Sequence, residues 1–176
     1  MGDHWEQLLD LSVDEAGAEE RLQEVRNWLR TNGWTKADPD ACKVYFETRP
    51  ADAFGPRSLP FAHDPGDCYA FVAKRDLYHA GDSAGGPVCR RCGTELPLMS
   101  VISRISDWDQ GGAEPLLTCT ECSWTALLGD WKISSCMAVA HLAVIIDHTW
   151  SNLADPLMEA LRTDLGGRWA YVHRHL

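Results

Sequence analysis

The chain reads as an α+β protein: a mixed or mainly antiparallel sheet, a helix towards each end, and a β-hairpin inserted between them. Three stretches carry that reading. Ala18, Leu22, Val25 and Leu29 recur at helical spacing. Leu142-Ala143-Val144-Ile145-Ile146-Asp147 is an apolar run of strand length, the kind that is covered on both faces. Cys89-x-x-Cys92 and Cys119-x-x-Cys122 bracket a segment that alternates in polarity and then turns. At 176 residues, 45% of them apolar, the chain can bury a core, so one domain over 1–176 is expected, with 87–128 as an inserted subdomain.

The elements follow in order. Ser12-Val13-Asp14-Glu15 has the form of a capping box, with Ser12 as N-cap and Glu15 at the third helical position. The spacing predicts a helix over about 13–32, closed by Gly33. Residues 43–48 (KVYFET) and 68–73 predict strands, and the Pro-, Gly- and Asp-rich stretch 51–66 predicts a loop between them. Residues 80–87, AGDSAGGP, form a flexible connection. From Met99 to Trp108, Val101, Ser103, Ile105 and Asp107 alternate with Ile102, Arg104 and Ser106, which predicts a strand. Asp109-Gln110-Gly111-Gly112 is a turn, and short strands follow at 116–119 and 124–128. Asp155-Pro156 predicts a helix start, Leu157, Leu161 and Leu165 give it an apolar stripe, and Gly166-Gly167 ends it. Residues 168–175 close with a strand. Strand, helix and strand over 142–175 fit a βαβ unit or a connection between non-adjacent strands.

The two Cys-x-x-Cys pairs are the most specific chemical signal. Each spacing lets a tight turn aim two sulfurs at one point, and two such turns supply the four thiolates of a tetrahedral zinc shell. Gly93, just after Cys92, allows the backbone to curl. The 26 residues between the pairs leave room for a hairpin. This segment, Cys89 to Cys122, resembles a zinc ribbon, two knuckles at one end of a β-hairpin. The resemblance implies that Cys89, Cys92, Cys119 and Cys122 hold a structural Zn2+ ion. It implies nothing specific about function. A redox dithiol or iron–sulfur site is the competing reading, and a catalytic zinc the weakest, because a four-cysteine shell leaves no open position. Cys42, Cys68 and Cys136 are left over and read as buried thiols in a reducing compartment.

Charge bears on partners. The net charge is −10, which repels phosphate backbones and suits a basic protein partner. The first 24 residues carry eight carboxylates against Arg21 alone. Their plain reading is a solvated helix face, and their functional reading is a surface that steers a basic partner. Between Pro87 and Thr125, Arg90, Arg91 and Arg104 face Glu95, Asp107, Asp109, Glu114 and Glu121, so nucleic-acid binding is the less favoured alternative. Arg162, Arg168 and Arg174 make the C-terminal stretch mildly basic; RNA or an anionic ligand is its functional reading, and a plain closing strand the favoured one.

A second alternative is a small enzyme built on His148, His173 and Asp147, with His175 nearby. It lacks any nucleophile motif, and a polar terminal strand explains the same residues. Cys136 with His141 is a weaker pair still. Eight tryptophans, among them Trp108 and Trp124, read as core packing more readily than as a stacking platform. No G-x-G-x-x-G, Walker A, G-x-S-x-G or H-E-x-x-H pattern occurs. The N-terminal stretch has no signal-peptide pattern, and the longest apolar run, 137–146, is too short to span a bilayer. The expectation is a non-catalytic, zinc-stabilised cytoplasmic binding protein, an acidic inhibitor, immunity or adaptor protein that engages a basic protein, with no catalytic residues assigned and no membrane contact.

Overall fold

A computed structural model describes residues 4–41, 50–64, 66–147 and 153–175. Among these, six strands form one curled antiparallel sheet in the order β2-β3-β4-β7-β1-β8. They are β1 (His4–Asp10), β2 (Thr35–Ala37), β3 (Ala51–Phe54), β4 (Cys68–His79), β7 (Met137–Asp147) and β8 (Trp169–His175). A separate two-stranded hairpin joins β5 (Leu116–Thr118) to β6 (Thr125–Leu127). The helices are α1 (Ala18–Thr31), α2 (Leu98–Asp109) and α3 (Ala154–Leu165).

Strand β7 explains the layering. It is buried almost throughout because both faces of the sheet are covered. Leu142, Val144 and Ile146 point into a core with Leu22, Val25 and Leu29 of α1 and Leu157 and Leu161 of α3. Ala143 and Ile145 point the other way, into a core shared with Val101, Ile105 and Trp108 of α2, with Trp131, and with Cys89 and Cys119. The period of two thus sorts one strand between two hydrophobic layers. The cysteine segment is part of the second layer.

Several expectations are corrected. Residues 99–108 form helix α2 instead of a strand. Val101, Ile105 and Trp108 are its buried stripe, at i, i+4 and i+7, whereas Ile102, Ser103 and Arg104 are exposed. The alternation was a coincidence over a few residues, since helical and two-fold periods overlap at i and i+4. Helix α1 starts at Ala18, later than the capping box implied. The Ser12 amide and hydroxyl both donate to the Asp10 carboxylate, and the Asp14 carboxylate takes the Gly17 amide. Its end is as expected. Gly33 has φ +73°, its amide donates to Arg30 O, and the Trp34 amide donates to Leu29 O, which is a Schellman closure. Nor are helices the outermost elements. β1 precedes α1, β8 follows α3, and the two strands pair from His4↔His175 to Asp10↔Trp169. β7 and β8 run parallel with β1 between them, so the 142–175 crossover joins non-adjacent strands. Part of the expected loop 51–66 is β3, the strand at 68–73 extends to His79, and the strand expected at 43–48 lies outside the described residues.

Candidate metal centre

Each Cys-x-x-Cys pair sits in the same local fold. The Cys89 amide donates to Thr94 O and the Gly93 amide to Cys89 O; the Cys119 amide donates to Trp124 O and the Ser123 amide to Cys119 O. Val88 bridges Glu95 around the first loop, and Thr118 pairs with Thr125 around the second. Gly93 and Ser123, four residues after the leading cysteine, both have positive φ, +78° and +58°. The left-handed residue is what turns each loop back so that both sulfurs point inward.

The two loops face each other. The four Sγ atoms all lie within 4.8 Å of one another, with Cys89 to Cys122 at 3.7 Å and Cys92 to Cys119 at 3.5 Å. A tetrahedron with Zn–S bonds of about 2.3 Å has S···S edges of about 3.8 Å, so this donor set fits such an ion. The leading cysteine of each pair is buried and the trailing one exposed. Without a cation the sulfurs cannot all ionise. Hydrogen bonds from Thr94, whose hydroxyl lies 3.3 Å from the sulfur, hold Cys92 down at about 6. At Cys122 a backbone hydrogen bond with Trp124 acts downward. Desolvation and the neighbouring sulfurs outweigh it and push the thiol up to about 12. A bound divalent cation removes that conflict.

The expected hairpin between the pairs is therefore absent. Helix α2 occupies most of the gap, and the true hairpin is β5–β6, which carries only the second pair in its turn. Around the centre, Arg91 lies over the Trp124 ring at 5.9 Å, and Trp124 packs on Trp131 at 5.3 Å. Arg90 donates to the carbonyls of Asp130 and Trp131. Arg168 of the β8 approach forms a two-pronged ion pair with Glu114, 2.6 Å on each arm, and a third contact to Asp130 at 2.7 Å. These carboxylates hold the Arg168 proton more firmly than usual.

Of the proposed catalytic set, the described members Asp147 and His173 lie on different, non-adjacent strands. His148 lies outside the described residues. Asp147 is buried on β7, and β1 separates that strand from His173 on β8. His173 instead meets His4, which the sequence reading missed, at 3.1 Å between ring nitrogens. His4 stacks on His175 at 4.3 Å. No local signal points to His4; only the β1–β8 register brings it there. His141 bonds Arg75, while Cys136 is buried with its thiol pushed up to about 11 by desolvation. Cys68 is disulfide-bonded, which corrects its reading as a thiol, and Cys42 lies outside the described residues. Among the described tryptophans, Trp34, Trp108, Trp131 and Trp169 are buried and Trp5, Trp28 and Trp124 half-buried, so packing accounts for them. No helix among the described residues is long and apolar enough to cross a membrane. Comparison of the chain with protein-family models, with curated proteins and with solved structures gave no match.

Proposed function

We propose that Cys89, Cys92, Cys119 and Cys122 hold one structural zinc ion, and that the chain is a non-catalytic binding protein stabilised by it. The observation that carries this is the four-sulfur group within 4.8 Å, two of its edges near the length a tetrahedral zinc shell needs, with Cys89 and Cys119 set in the hydrophobic core. Four protein ligands leave zinc no position for water or substrate, so the metal organises the fold. A disulfide at Cys68 and a metal on four thiolates are compatible in one chain, because coordination protects the thiolates. The proposal therefore does not depend on a cytoplasmic location.

The partner we propose is a basic protein. Asp14, Glu15, Glu19, Glu20 and Glu24 are exposed at the start of α1, whereas Glu6 and Asp10 are buried, which narrows the acidic surface to that end. Such a surface accelerates encounter with a positive partner and loses effect as salt rises.

Native mass spectrometry of the purified chain tests the metal. The expected result is one zinc ion per chain. Its removal by a strong chelator should alter the fluorescence of Trp124 and Trp131, which pack beside the centre. A metal-free chain with the same fluorescence and the same melting point would overturn the reading.

A further inference from the structure

Two cavities adjoin at the outer edge of β8, meeting at Ser134 and Tyr171, which line both. The first, about 340 Å³, collects Arg90 from the first cysteine loop, Lys132 from the segment before β7, and Arg162 from α3. Among its described lining residues Asp155 is the one carboxylate. Three cations to one anion inverts the balance of a chain with 16 basic and 26 acidic residues. Two of these cations are anchored chiefly by neutral groups, with Asp130 near Arg90 and Glu159 near Arg162. Arg90 is held by two backbone carbonyls, and Arg162 by Trp169 O, with the exposed Glu159 as a further partner at 4.0 Å. Like charges converging on one space repel, and an anion with several oxygens relieves that repulsion.

The second cavity, about 460 Å³, adds His4, Ser83, His173 and His175. Its described lining residues include three imidazoles, hydroxyls and no carboxylate. Its groups are ordered by a hydrogen-bond chain, with Tyr171 Oη 3.0 Å from His173 Nδ1 and His173 Nε2 3.1 Å from His4 Nδ1. A neutral His173 fits this chain if the Tyr171 hydroxyl donates to Nδ1 and Nε2–H donates to His4. Both cavities are of a size for a small molecule.

We propose that this cleft binds a small phosphate monoester, its phosphoryl group among Arg90, Lys132 and Arg162 and its hydroxylated body along Tyr171, Ser134 and the imidazoles. Three cations from three separate elements suit a dianion with three free oxygens better than a planar carboxylate, which one guanidinium satisfies. The inference rests on the metal reading only through Arg90, which Cys89 and Cys92 flank.

The test is calorimetric titration of the zinc-loaded full chain with ribose 5-phosphate, inorganic phosphate and ribose, with zinc content measured in every variant. Ribose 5-phosphate should bind more tightly than inorganic phosphate, and ribose should not bind. Lys132→Gln and Arg162→Gln should each weaken binding by about tenfold or more, the loss of one charge-assisted contact, with zinc retained. Lys36→Gln, which lines a different cavity, should change nothing. Absence of binding at about 10 mM ligand, or equal binding by the parent and both variants, would overturn the proposal. Inorganic phosphate binding as tightly as ribose 5-phosphate would overturn the role given to Tyr171 and the histidines. Zinc lost together with binding would locate the failure in the metal centre.

Discussion

The two cysteine loops differ at one informative position. Gly93 and Ser123 are equivalent, both left-handed, yet one is glycine and the other has a side chain. Gly93→Ser makes the loops alike. A Cβ at Gly93 meets no atom within 4 Å, so the cost is conformational and not steric. Placing an L-residue in that region costs roughly 1–2 kcal/mol. The stiffer unfolded chain returns about 0.4–1 kcal/mol. The net is about 1 kcal/mol, or about fivefold weaker metal retention if the loop adopts this turn only when it grips the ion. Ser123→Gly should shift the balance the other way by a similar amount, about 1 kcal/mol or about fivefold tighter retention. Competition against a chromophoric chelator at neutral pH reads both. Gly66→Ser is the control, since that site is open and its φ is not left-handed. If Gly93→Ser held its metal as tightly as the parent, or Ser123→Gly weakened it fivefold, the left-handed turn would not be what aims the sulfurs.

Two further outcomes are expected. The fully buried Asp52 accepts hydrogen bonds from Arg26, Arg30 and Thr35, the guanidinium contacts falling between 2.6 and 3.2 Å, so Asp52→Ala should cost about 3–5 kcal/mol in urea unfolding. Burial opposes ionisation of Asp52, but Arg30 and Arg26 outweigh it and lower its pKa, so its stabilisation is full above the unfolded value of about 3.8 and is lost as pH falls through the folded one. A loss under 1 kcal/mol would show the guanidiniums finding other partners. Burial, then His4 and His175, holds His173 below its ordinary 6.5; the unfolded chain therefore binds more protons as pH falls below that value, and the melting point should drop as pH falls below about 6.5. His173→Gln should flatten that slope, and an unchanged slope would mean that other groups set it.

Much of the molecule was legible locally. The apolar stripe of α1 and its glycine closure, the buried strand β7 and the second cysteine hairpin are properties of neighbours in sequence, where a side-chain period or a left-handed residue acts within one turn. The cysteine spacing likewise determined the donor set, because two sulfurs three residues apart share one loop. Helix α2 was misread because Val101 and Ile105 satisfy both periods, and only Trp108, packed against the sheet, decides between them. His4 beside His173, and Arg90, Lys132 and Arg162 around one cavity, were invisible for a different reason. They come from segments far apart in the chain, and nothing in any one of them encodes the others. Strand register and the crossover that places β1 between β7 and β8 bring them together. The sequence by itself determined which residues can grip a metal and which faces are apolar. Only the tertiary structure decided which charges share a space, because that depends on long-range pairing set by the burial of both faces of one sheet.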